Sequence, residues 1–115
     1  MGGGSPVHEL AVTQSIVDQV AARMDGKRVT HVQLEIGKLS GVVADSVRFC
    51  FELVTVGTPL EGASLWIGEP EGRAHCARCG SDFSVGDLIL LCGCGSAEVR
   101  VISGEQLLIK SVEVV

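Results

Sequence analysis

The 115-residue chain is 46% hydrophobic but only 3% aromatic, and it carries a net charge of −5. That is enough for one ordinary domain, or a small one with a smaller insert, with a core built from Val, Leu, Ile and Ala. The acidic balance argues against a nucleic-acid partner, and no apolar run reaches membrane-spanning length. Five cysteines with no secretory signal fit a reducing, cytoplasmic location, where paired cysteines hold metal more often than they form disulfides.

Residues 1–6, Met-Gly-Gly-Gly-Ser-Pro, are small and uncharged, and they read as an expression scar rather than as fold. From His8 to Met24 the residues Leu10, Val17, Ala21 and Met24, flanked by Ile16 and Val20, recur at helical spacing. Asp25-Gly26 stops that helix. A half-buried strand follows, because Val32, Leu34 and Ile36 alternate with His31, Gln33 and Glu35.

After a loop around Ser40-Gly41, a second helix is expected from Asp45, taken as its N-cap, to Val56. Val47, Cys50, Phe51 and Val54 give it an apolar stripe, which makes Cys50 a core residue rather than a ligand. Ala63 to Gly68 reads as a second strand with Leu65 and Ile67 on one face. Trp66 falls on the other face.

Next come Cys76-Ala77-Arg78-Cys79 and, after 12 intervening residues, Cys92-Gly93-Cys94. Two tight pairs of thiolates across a short loop are the donor set of a structural zinc site, Cys76, Cys79, Cys92 and Cys94. Gly80 and Gly95 follow each pair, where a sharp turn is expected to aim amide N–H groups at the sulfurs. His75 stands beside Cys76 as a possible substitute for the fourth ligand. A third strand, Gln106 to Val115, closes the chain.

The order predicts an α+β fold: two helices on a small three-stranded sheet, with an inserted zinc-ribbon-like domain. The division is 7–73 plus 105–115 for the α+β domain and 74–104 for the cysteine domain. A closed thiolate site holds a fold together and leaves no position for substrate. Function is sought elsewhere, and His8-Glu9 at the start of the first helix reads most simply as an exposed turn whose acid suits the helix dipole. In a sharper reading, a histidine and main-chain nitrogens of that opening turn can converge on a d8 cation such as Ni(II), which favours planar nitrogen donors.

His8-Glu9-Leu10, the stretch Leu34 to Val42, Phe49-x-Phe51-Glu52-Leu53, Gly57-Thr58, Cys-x-x-Cys-Gly and Ser103-Gly104-Glu105 together resemble the HypA/HybF hydrogenase nickel metallochaperones. The resemblance runs from Val7 to Val115. It implies a chaperone, not an enzyme, that carries nickel as cargo during maturation of nickel–iron hydrogenase, and in some organisms of urease. It also implies a HypB-type GTPase and the hydrogenase large-subunit precursor as partners; the sequence itself leaves monomer or homodimer open. His8 is then the principal nickel ligand, supported by Glu9 and nearby backbone nitrogens, and the four cysteines hold zinc.

Two departures stand out. The family usually starts Met-His-Glu, whereas six residues precede Val7 here, and weaker or altered nickel binding is expected. The second cysteine pair has one intervening residue where the family has two. No Ser/His/Asp set, nucleotide-binding glycine loop or catalytic carboxylate pair is visible. The competing readings are a zinc-ribbon protein-interaction module and a redox dithiol.

Overall fold

The computed structural model describes residues 6–86 and 89–115, the side chains of residues 6 and 7 excepted. Residues 1–5 of the expected scar lie outside the described residues. Pro6 opens helix α1 (Pro6–Arg23), the first-turn position where a missing N–H and a fixed φ are tolerated. The chain continues as β1 (Val29–Ile36), α2 (Ala44–Val54), β2 (Ser64–Gly68), β3 (Gly72–Cys76), β4 (Asp82–Val85), β5 (Val99–Ser103) and β6 (Leu107–Val114).

Two three-stranded sheets result, in the orders β2-β1-β6 and β4-β3-β5. In the first, β1 lies centrally, parallel to β2 and antiparallel to β6. The parallel pairing is possible because α2 and its loops supply the crossover between β1 and β2. Val32, Leu34 and Ile36 turn toward the helices and join Ile16, Val17, Val20, Val47, Phe51 and Leu60 in the main core. The opposite sheet face is open to solvent. It carries Trp66, 70% exposed, and His31, whose Nδ1 lies 3.5 Å from Glu113 Oε1.

Two local expectations change. Asp45 does not cap α2; Val43 occupies the N-cap position without a side-chain cap, and the Asp45 carboxylate pairs with Arg48 at 2.5 Å. On α1, Leu10 is exposed while Glu9 and Thr13 are fully buried. The buried face is thus Glu9, Thr13, Ile16, Val17 and Val20, one position out of step with the apolar pattern at the helix start.

The cysteine segment contributes three strands that its sequence does not advertise. They are only four or five residues long, and Gly, Arg, His, Asp and Ser interrupt any alternation. Their small core is Ala74 and Val85 together with Leu39, which comes from the loop after β1. Leu39 N–H bonds to the Gly104 carbonyl at 2.8 Å, and Lys38 N–H to the Pro70 carbonyl at 2.9 Å.

Glycines make this junction possible. A Cβ on Gly72 would lie 2.1 Å from Leu39 Cδ1, and one on Gly104, at φ +105°, would lie 2.3 Å from Gly72 Cα. The molecule is elongated, 53 × 26 × 18 Å, with a radius of gyration of 16.9 Å. A compact chain of this length would show roughly 13 Å.

Candidate metal centres

The four cysteines come together at the tip of the β4-β3-β5 lobe. Cys76 ends β3 and is buried, Cys79 follows in the turn, and Cys92 and Cys94 lie in the turn before β5. All four sulfurs lie within 4.8 Å of one another. Cys76 Sγ to Cys94 Sγ is 3.8 Å, and Cys79 Sγ to Cys92 Sγ is 3.6 Å. A tetrahedral zinc with Zn–S bonds of about 2.3 Å requires sulfurs about 3.7–3.8 Å apart. The donor set fits zinc in chemistry and in size.

The backbone of the two turns aims N–H groups at these sulfurs, as the glycines after each pair led one to expect. Cys79 N–H donates to Cys76 Sγ and Cys94 N–H to Cys92 Sγ, each at 3.5 Å. The glycine N–H groups close the turns instead: Gly80 donates to the Cys76 carbonyl and Gly95 to the Cys92 carbonyl, both at 2.9 Å. Gly80 and Gly95 adopt φ of +79° and +94°, which explains glycine there; Gly93 is not in the left-handed region.

Local hydrogen-bond donors and neighbouring thiols set the protonation of the cysteines. The Ser81 hydroxyl and backbone, followed by Cys92, lower Cys79 to about 6. The Cys76 thiol is lowered chiefly by the Cys79 backbone N–H. The Ser96 backbone N–H favours the Cys94 thiolate, but Cys92, burial and the remaining thiols outweigh it and push the group up to about 12. Four thiols this close cannot all shed protons unless a cation replaces them. His75 takes no part in the cluster: its Nδ1 lies 2.6 Å from Asp82 Oδ1.

The second site begins α1. His8 is exposed and lines a cleft of about 570 Å³ between α1 and β6, together with Val12, Ile16, Leu107 and Ile109. Glu9, one residue on, points the other way. Its side chain is 0% exposed, and Oε2 accepts a hydrogen bond from Val43 N–H at 3.3 Å. Two adjacent helical residues diverge by about 100°, so the structure keeps the imidazole and the carboxyl apart. The spacing of Glu9 and Thr13 ahead of Ile16, Val17 and Val20 is the signal that could have placed Glu9 on the buried face.

The other candidates are structural. Cys50 is buried in the main helix stripe. No described helix is long and apolar enough to cross a membrane.

Comparison with known proteins adds a lineage to this geometry. The family model described as "HypA: Hydrogenase/urease nickel incorporation, metallochaperone, hypA" matches residues 7–114. A protein of Nostoc sp. named hydrogenase maturation factor HypA is 46% identical over 108 residues, covering 94% of this chain and 96% of its own. One of the same name from Geobacter metallireducens is 47% identical over 109 residues, covering 94% and 99%. The solution structure of the Ni metallochaperone HypA from Helicobacter pylori has a similar fold, with a TM-score of 0.60 at 20% identity over 92% of this chain and 96% of that one.

Proposed function

The chain belongs to the HypA family of hydrogenase and urease nickel-incorporation metallochaperones, and from that premise we propose that it binds Ni(II) at the start of α1 and hands it to a nickel–iron hydrogenase precursor. His8 supplies the imidazole ligand, and main-chain nitrogens of the first helical turn, that of Glu9 included, supply further planar donors. The four cysteines hold zinc and keep the small lobe folded. The ion is cargo, so its site must also let go.

One observation carries this reading: His8 is an exposed imidazole on the opening turn of a helix, at the edge of a cleft and separate from the thiolate centre. A site on a helix terminus can give up ligands one at a time to an acceptor, whereas the thiolate cluster has no open position. The partners are a HypB-type GTPase and the hydrogenase large-subunit precursor, met in the cytoplasm. Urease is a second client in organisms that have it.

The test is a Ni(II) titration of zinc-loaded protein, followed by calorimetry and absorbance, on chains trimmed to a single methionine before His8. We expect one nickel per chain with planar d–d bands, and loss of both in His8→Ala. Absence of specific uptake overturns the reading in favour of a zinc-ribbon interaction module.

A further inference from the structure

Among the described residues, Glu9 is the one charged side chain that is buried. It is fully buried, one carboxyl oxygen has the single donor Val43 N–H, and the other, Oε1, has no hydrogen-bond partner among the described residues. A carboxyl group with one oxygen left unsatisfied in the interior is strongly penalised, and a leucine or methionine would fill the same space without that penalty. Something other than packing accounts for an acid there.

The surroundings show what the group offers in return. Val43 is the N-cap of α2 and brings no side-chain cap of its own. Glu9 itself lies in the first turn of α1. The carboxyl therefore stands between the N-terminal ends of two helices, each of which favours negative charge. Its own carbonyl is fixed in turn by the buried Thr13 hydroxyl, which donates to it at 2.7 Å. The opening turn of α1 is thus pinned at side chain and main chain alike.

We infer that the Glu9 side chain is a positioning residue and not a metal ligand: it clasps the start of α1 to the start of α2 and so holds the first turn, with His8 on its outer side, in a geometry ready for the cation. This rests on the nickel reading above and adds to it the residue that preorganises the site. A helix start frays easily, because its first turn has few intrahelical bonds. A ligand set built on such a turn loses affinity in proportion to the freedom it must surrender on binding. The clasp removes that freedom in advance, and it leaves the ligand atoms themselves unchanged.

The experiment compares wild type, Glu9→Gln and Glu9→Ala, all trimmed to a single methionine before His8 and zinc-loaded, each titrated with Ni(II) under absorbance, with the Val43 amide followed by NMR hydrogen exchange. Glu9→Gln keeps the volume and can still accept from Val43, so it reports on the site even if Glu9→Ala folds poorly. We expect the d–d band energies to be the same in all three. Affinity should fall by about tenfold or more in Glu9→Ala and by less in Glu9→Gln, and Val43 protection should drop in the same order. Shifted bands in either variant would make Glu9 a ligand and overturn the inference. Unchanged nickel affinity alongside lost Val43 protection would reduce Glu9 to packing, and overturn it also. A wild type that takes up no nickel removes the delivery reading and this one together.

Discussion

A thiol in this cluster gives up its proton on terms set by the donors around it and by its neighbouring thiols. Cys79 at about 6 is already a thiolate at neutral pH, while Cys94 at about 12 keeps its proton. Zinc loading at pH 7 should therefore release fewer than four protons per chain, and calorimetry in buffers of different ionisation enthalpy will count them. The sign follows: raising the pH deprotonates the remaining thiols and strengthens binding, and lowering it through the Cys79 value of about 6 weakens binding. Cys94→Ser should lose tight zinc and open the lobe, whereas His75→Ala should retain it, because His75 is engaged with Asp82; stoichiometry after dialysis decides. At this scale the four-cysteine cluster was legible from spacing alone, since two close pairs of thiols in two turns are set to meet. The burial of Glu9 was carried only by its helical spacing to Thr13, Ile16 and Val20, a signal that its charged residue type masks.

At the scale of elements, periodicity located both helices and two strands of the main sheet, and richness in Val, Leu and Ile located the third. The errors lay at ends. Asp45 looked like an N-cap by residue type, but the cap is Val43 and its N–H is satisfied from another helix. Asp45→Ala should accordingly cost less than about 1 kcal/mol, the range of an exposed first-turn charge, while loss of a true cap would cost about 0.5–2 kcal/mol. Leu34→Ala, in the middle of β1 and almost fully buried, should cost about 2–5 kcal/mol. Urea denaturation of the zinc-loaded protein compares the two. The strands β3, β4 and β5 were illegible for a different reason. Each is too short for alternation to show, and what aligns them is the cysteine cluster at their end together with a leucine from outside the segment.

Across the whole molecule, two cores share one chain that passes between them twice, at residues 69–72 and 104–106, while the loop 37–40 reaches from the first into the second. The sequence marks the insertion but not the crossing, because Gly37, Gly72 and Gly104 are far apart along the chain and meet only in space. Gly104→Ala should be among the most damaging single-methyl additions. Its φ of +105° disfavours any side chain, and the added carbon meets the backbone of Gly72 at 2.3 Å. We expect a loss of at least about 1–3 kcal/mol, read as a lower melting temperature at fixed zinc. Gly62→Ala, on an exposed turn with φ +79° and only an arginine tip nearby, serves as the milder comparison.

Leu39 belongs to the helical part by connectivity and to the cysteine part by packing. The consequence bears on transplantation. A peptide spanning 72–104, excised and given zinc, would fold around a hole where that leucine had been, and grafting it onto another scaffold would reproduce the metal centre without its foundation. A portable version must import four residues, 37–40, from a segment that any boundary drawn along the sequence assigns to the other part. The indivisible unit of this protein is a lobe together with the loop that plugs it.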